Sequence, residues 1–322
     1  MPESRAYFEV NSNFLEHRAL GMKIDDLMIQ RRLKMTLFKR ILCPIDFSEN
    51  SVRALQCAEM LARECHAEMI LLHVIEAPYS ALSNPGFEYE HYLDGAKRRL
   101  QEFASPLKVK YESMLSTGNP ATKIVALAKN LEATLIIMAT RGYHGAVHKL
   151  LGSTTETVIR SSVIPVMTIS PHCESLEIDR SKKVLLPISS LLRPTKGLIH
   201  LRKMLRELGR RVTLFHVVEF TDPMFDSNFH ANPFLVTAYE TTEKQHELET
   251  VGRVILRSET PQEAVIQFGT AGQEILRQLE TGAYCMVLLQ PKKKTFLSSF
   301  FGSTVYNVIS AAPVPVITLK GY

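Results

Sequence analysis

The sequence predicts two α/β domains in tandem, each a five-stranded parallel sheet covered by helices. Two observations carry this: an internal duplication, and the alternation of strand-like with helix-like patterns within each copy. KRILCPID at 39–46 recurs as KKVLLPIS at 182–189, and LLHVIE at 71–76 as LFHVVE at 214–219, both 143 residues later. LLGSTTETVI at 150–159 recurs as FFGSTVYNVI at 300–309, and IPVMTI at 164–169 as VPVITL at 314–319, both 150 residues later. Blocks in the same order at a nearly constant offset mark a duplication.

The elements follow in order. Residues 39–45 and 68–75 are short apolar runs rich in branched side chains, the pattern of strands buried on both faces. Between them Val52, Leu55, Ala58, Leu61, Ala62 and Cys65 recur every three or four residues. That spacing predicts an amphipathic helix, with Ser48 or Ser51 as its cap. A second helix is expected over about 88–104, a strand near 109–116, and a third helix marked by Ile124, Leu127, Ala128 and Leu131. Strands at 134–139 and 164–169 bracket a last helix that begins near Gly152. Strands that alternate with helices imply a parallel sheet with right-handed crossovers and helices on both faces. Five strands favour the flavodoxin-like order, with the ligand crevice at the carboxyl ends of strands one and four. The second half repeats this plan from about 182, with a long polar stretch at 222–250 in place of the second helix.

These patterns divide the chain into an extension over 1–35, a first domain over 36–170, a linker over 171–181 and a second domain over 182–322. The extension matches nothing in the second half, which leaves Met35 open as the start. At 322 residues, 45% hydrophobic and 22% charged, the composition is that of an ordinary soluble globular protein. The net charge of +5 is modest, and Lys292, Lys293 and Lys294 form the one tight basic cluster, so composition does not argue for nucleic acid. No apolar run approaches the roughly 18 residues of a membrane span, and the N-terminus does not read as a secretory signal. The cysteines, Cys43, Cys57, Cys65, Cys173 and Cys285, are odd in number, scattered and free of C-x-x-C spacing. That argues against a disulfide framework or a zinc site and for a reducing cytoplasm. Cys43 and Cys285 lie in strand-like runs and read as small buried side chains.

Three places in the first half converge on the predicted crevice. Pro44, Ile45 and Asp46 end strand one, where the carboxylate can accept from ribose hydroxyls or satisfy amides at the following helix start. Val74, beside the His73 that ends strand two, can line a base pocket or be a plain strand residue. Residues 138–154, MATRGYHGAVHKLLGST, run from strand four into a helix. Gly142 permits close backbone approach. Gly152, Ser153 and Thr154 bring free amides and hydroxyls to a helix N-terminus, which suits phosphate or an ordinary cap. His144 and His148 read as exposed loop residues.

The run from Ala139 through Gly142 to Gly152-Ser153, with nine residues between the glycines, resembles the G-x-x-G-(nine residues)-G-S/T signature of ATP-binding universal stress proteins. It occurs together with Pro-x-Asp after strand one, H-V after strand two and a terminal P-V strand, and covers about 39–170. The resemblance implies a fold like that of the adenine nucleotide alpha hydrolases. It also implies that Ile45, Asp46 and Val74 hold adenine and ribose, that Met138, Ala139 and Gly142 border the nucleoside, and that Gly152, Ser153 and Thr154 meet the phosphates. Ala139 stands where the family has its first glycine. In the second half Ser189 replaces the aspartate, Leu289 stands for Ala139 and Lys292 for Gly142, while Gly302, Ser303 and Thr304 survive.

No P-loop and no S-G-G-x-D-S loop is present, and no catalytic constellation is legible. The resemblance therefore implies a cytoplasmic, ATP-binding stress-response regulatory protein. ATP, with or without Mg2+, or another adenine nucleotide is the expected ligand, alongside an unidentified protein partner. The second half is expected to be mainly structural. A slow ATP-hydrolysing or adenylating enzyme and a nucleotide-free scaffold or chaperone-like module are the alternatives. Single-domain members commonly dimerise through the terminal strand. An intrachain pseudo-dimer joining 164–169 to 314–319 is thus expected, with Val166, Ile169, Val316 and Leu319 at the junction and a homodimer of the whole chain left open.

Overall fold

The computed structural model describes residues 38–76, 89–141, 151–176, 179, 181–188, 204–205, 211–219, 262–290 and 302–319, with short pieces between 242 and 253. The first half runs β1 (Arg40–Pro44), α1 (Glu49–Cys65), β2 (Glu68–Ile75), α2 (Tyr89–Ala104), β3 (Tyr111–Thr117), α3 (Pro120–Asn130), β4 (Leu135–Ala139), α4 (Ser153–Ser161) and β5 (Val166–Ile169). The second runs β6 (Lys183–Pro187), β7 (Val212–Val218), β8 (Gln262–Phe268), α5 (Ala271–Glu280), β9 (Tyr284–Leu289), α6 (Ser303–Ala311) and β10 (Val316–Thr318). Between β6 and β7, Met204 and Leu205 are helical and buried. The polar stretch 222–250 lies largely outside the described residues. Among the described residues, no helix is long and apolar enough to cross a membrane.

Local chemistry sets the element ends. Ser48 caps α1 by accepting from the Ser51 amide, and the stripe Leu55, Ala58, Leu61, Ala62 and Cys65 is buried. Asn119 caps α3 by accepting from the Thr122 amide, with Pro120 in the first turn, where its missing N–H costs nothing. Strand two runs on past His73 to Ile75, because the Gly118 amide bonds the Ile75 carbonyl and holds the strand end. Gly118 has φ +124°, and its counterpart Gly269, bonded to Val218, has φ +143°. Both turns need the conformation that side chains oppose.

The fold class is the one the sequence predicts, with strand order β3-β2-β1-β4-β5-β10-β9-β6-β7-β8 in one ten-stranded sheet. Within each half the order is 3-2-1-4-5, so the direction of winding switches between the first and fourth strands, where the crevice is expected. Flavodoxin itself, with order 2-1-3-4-5, switches between its first and third strands.

All pairings within a half are parallel, and β5 meets β10 antiparallel. Val166 faces Thr318, Met167 faces Ile317 and Thr168 faces Val316, so a pseudo-twofold axis passes between Met167 and Ile317. The side chains obey it: the Thr168 hydroxyl donates to the Val316 carbonyl (3.3 Å) and the Thr318 hydroxyl to the Val166 carbonyl (3.1 Å). Pro165 and Pro315 precede the two strands and lose no donor there, while their carbonyls accept from Ile136 and Val287. One buried apolar cluster continues through the junction from Leu42, Leu72 and Ile136 by way of Val166 and Val316 to Val287 and Phe215.

The chain after β5 is strapped to both halves. Arg53 of α1 donates to the Pro171 and Cys173 carbonyls. Ser170 donates to the Ala312 carbonyl (2.6 Å) and the Glu174 amide to the Pro313 carbonyl (3.0 Å).

All five cysteines are free and buried. Burial pushes the Cys43 thiol up to about 12 and Cys173 up to about 11, and raises Cys57 as well. The native protein should therefore react with a thiol reagent at mildly alkaline pH no faster than it unfolds, and a rapid stoichiometric thiol in an Ellman titration would contradict this burial.

Val166 and Val316 are 1% and 0% exposed. An unpaired carboxylate buried at each site costs several kcal/mol, against a whole-domain stability of about 5–15 kcal/mol. Val166→Asp with Val316→Asp should separate the halves or unfold the chain. Thermal melting and size-exclusion chromatography report the change, and an unaltered cooperative melt is the opposing result.

Candidate functional site

The site is assembled where β1 and β4 leave the sheet side by side. The register that pairs Leu42 with Ile136 continues toward Pro44 and Met138, and the one that pairs Pro44 with Leu72 continues toward Asp46 and Val74. The backbone thus gathers Pro44, Ile45, Asp46, Val74, Met138 and Ala139 at one end of the sheet. Ile45 is buried, its amide held by the Leu72 carbonyl (2.8 Å). Met138 and Ala139 are also buried, Pro44 and Val74 are half-buried, and Asp46 is exposed.

Asp46 closes a tight turn. Its Oδ1 accepts from the Ser48 amide (3.0 Å) and the Ser48 hydroxyl (2.6 Å), and the Ser48 Oγ in turn accepts from Ser51 at the start of α1 (3.1 Å). The cap of α1 is therefore Ser48, and Asp46 orients that cap while its carboxylate stays at the surface. Of the two roles the sequence leaves open, the structure displays the one at the helix start, which Asp46 serves through Ser48.

His73 underpins the same corner. Its Nδ1 lies 2.7 Å from the Ile45 carbonyl, which can only accept, so Nδ1 carries the hydrogen. Burial lowers its pKa, with Arg99 acting in the same direction, against the opposing effects of the Ile45 bond and the Asp46 charge. The second half repeats the bond, with His216 Nδ1 2.7 Å from the Ile188 carbonyl.

The third component is the start of α4. Gly152 is its N-cap and offers no side-chain cap, so the first-turn amides lack the partner a Ser or Asp cap would supply. Its own amide donates to the Thr140 carbonyl (2.8 Å), which draws the helix start against the end of β4. A Cβ at this position would stand 3.3 Å from that carbonyl. Gly152 has φ −72°, so close approach and not left-handed backbone is what crowds a side chain here. Ser153 is exposed and Thr154 half-buried. Gly142, His144 and His148 lie outside the described residues.

Sequence reasoning missed two hydroxyls. Thr155 donates to the Ala139 carbonyl (2.8 Å), fixing the residue that replaces the family's first glycine. Thr140 is fully buried and its Oγ1 has no partner among the described residues. Thr140 follows Ala139 and Thr155 follows Thr154, both next to motif residues, but a threonine there carries no signal of its own.

Among the described residues the second half does not repeat this construction. Leu289 fills the place of Ala139 and is buried, a Cβ on Gly302 would have no described residue within 4 Å, and no bond ties Gly302 to Gln290 as Gly152 is tied to Thr140. Ser189 and Lys292–Lys294 lie outside the described residues. No group of three or more His, Cys, Asp or Glu side chains among the described residues could hold a metal ion.

Comparison with known proteins agrees with the duplication. The model of the universal stress protein family matches residues 37–170 and again 180–320. Universal stress protein YxiE of Bacillus subtilis is 32% identical over 147 residues, which span 41% of this chain and 99% of that protein. Universal stress protein A homolog 2 of Coxiella burnetii is 31% identical over 143 residues, 42% of this chain and 97% of that protein. Each of these relatives thus corresponds in length to a single copy. The crystal structure of a universal stress protein from Archaeoglobus fulgidus superposes on 87% of this chain and 98% of its own length with a TM-score of 0.58. At 21% identity that likeness speaks for the fold alone, and it extends over both copies. The chain belongs to the universal stress protein family, the stress-response proteins whose domain it carries twice in tandem.

Proposed function

We propose that this protein is a regulatory nucleotide-binding protein of the cytoplasm that holds ATP, or another adenine nucleotide, in its first copy and uses its second copy as a structural partner. The asymmetry between the copies carries the reading: the first has an exposed carboxylate at Asp46 and a Gly152 amide tied to the Thr140 carbonyl, whereas the second has Ser189 at the place of the carboxylate and, among the described residues, a Gly302 cap without that tie. Pro44, Ile45 and Val74 would border the base, Asp46 would accept from the ribose, and Met138, Ala139 and Gly142 would flank the nucleoside. Gly152, Ser153 and Thr154 would meet the phosphates.

The residues present fit such a ligand. The α4 start has no side-chain cap, and a helix N-terminus with free amides attracts phosphate through hydrogen bonds and the macrodipole. The glycine at that cap lets the helix start lie close against the Thr140 carbonyl, which a Cβ would approach to 3.3 Å. Magnesium would ride on the phosphates, because it prefers a few carboxylates plus phosphate oxygens and retained water. Five free cysteines are compatible with a reducing compartment.

Titration calorimetry should find one high-affinity ATP site per chain, and two equal sites would refute the assignment. Gly152→Val should abolish binding, because its first carbon already crowds the Thr140 carbonyl at 3.3 Å. Gly302→Val, with no described residue within 4 Å of its first carbon, should leave ATP affinity nearly intact.

Asp46→Ala should weaken ATP by about 1.5–3 kcal/mol, the range for a hydrogen bond to a charged group. The melting temperature without ligand should fall by less, since Ser48 keeps its own cap on Ser51. A large loss of stability with unchanged ATP affinity would instead make Asp46 a purely structural residue.

A further inference from the structure

Three non-glycine residues among those described have positive φ: Phe47 (62°), His66 (53°) and Glu132 (52°). His66 is the C-cap of α1 and Glu132 follows the end of α3, places where a left-handed residue commonly closes a helix. Phe47 stands before a helix, beside Asp46, and has no such role. A bulky side chain in this conformation is strained, and persists only where its surroundings over-determine it.

Those surroundings come from β2 and α2. The Phe47 ring lies 4.5 Å from the His73 ring, centroid to centroid, and meets Phe103 edge-on at 5.5 Å. The Arg99 guanidinium sits over its face, 4.3 Å from the centroid. Phe47 is also the central residue of the turn that Asp46 closes onto the Ser48 amide and hydroxyl. Its φ therefore sets the distance between the carboxylate and its donors. A Phe47 that leaves the left-handed region opens that turn and releases Asp46 from its orientation.

The duplication separates scaffold from site. The imidazole-to-carbonyl bond survives in the second copy, His216 to Ile188, so it belongs to the fold. The offset of 143 residues that aligns the two copies here places Ser189 at the position of Asp46 and Ser190 at that of Phe47. The ring and the carboxylate are absent together.

We infer that Phe47 is a positioning residue, clamped by α2 through Phe103 and Arg99, that holds the Asp46 carboxylate in the orientation a ribose requires and so couples α2 to occupancy of the site. This rests on the nucleotide reading above.

A double-mutant cycle on ATP affinity tests it. Phe47→Ala should weaken ATP by about 5–20-fold, within the usual coupling of contacting residues, and in an Asp46→Ala background the same change should add less than about twofold. Phe47→Tyr, which keeps the ring, should restore affinity to within about twofold. Circular dichroism and thermal melting establish that each variant is folded. Should Phe47→Ala not fold, Arg99→Met removes the cation from the ring face and should weaken ATP by about 2–5-fold, again only when Asp46 is present. Additive losses, or a Phe47→Ala chain with unchanged affinity, overturn the inference alone. A wild-type chain that binds no ATP defeats the nucleotide reading and this inference with it.

Discussion

The contact on which the rest of this structure depends is the antiparallel pairing of β5 with β10. A parallel five-stranded sheet standing alone would expose the backbone of its terminal strand, an invitation to pair with another chain. Here each copy covers the other's edge, and the bond from each threonine to the opposite valine carbonyl is made twice, once from each side. The outer strands left over, β3 and β8, have charge at their starts: Lys110, just before β3, pairs with Glu68 of β2, and Glu263 on β8 pairs with Lys183 of β6. Such pairs are worth little in stability at the surface, but charge on an outer strand discourages further strand addition.

Much of this was legible in the sequence because duplication is a long-range signal and apolar runs are a local one. The strands, the α1 stripe, the Ser48 cap and the buried Cys43 and Cys285 follow from residue type and spacing, while the pairing of the terminal strands was legible through the family resemblance. The winding switch between the first and fourth strands was legible as a crevice position, whereas the order β3-β2-β1 depends on crossovers that leave no periodic mark. Conformation was less accessible. Nothing in Pro-Ile-Asp-Phe-Ser says that the phenylalanine is left-handed, since that follows from rings brought in by β2 and α2, 26 and 56 residues further along the chain (47 to 73, and 47 to 103). The reason for Gly152 was likewise hidden. Its spacing marks it, but the crowding carbonyl of Thr140 appears only once β4 and α4 are in place.

The second copy serves as an internal comparison. Bonds found in both halves, such as Ile45 to Leu72 and Ile188 to Phe215, or Ile136 to Pro165 and Val287 to Pro315, are what the fold needs in order to stand. Features seen in the first half alone among the described residues, the Asp46 turn and the Gly152–Thr140 tie, have no such counterpart in the second.

The reversal of direction at the junction has a consequence of its own. Strands within each half are parallel, and the halves run opposite ways, so their carboxyl ends emerge on opposite rims of the sheet. The rim that bears Asp46 and Gly152 is also the rim where Arg53 grips the chain leaving β5, and where that chain leans on Pro313 at the base of the second half. The molecule consequently has a front and a back. The front thus shares its rim with the strap and with the foot of the neighbouring half, whereas the back carries the Gly302 cap of α6 and the Glu219 carboxylate, which accepts from the Ala271 amide at the start of α5.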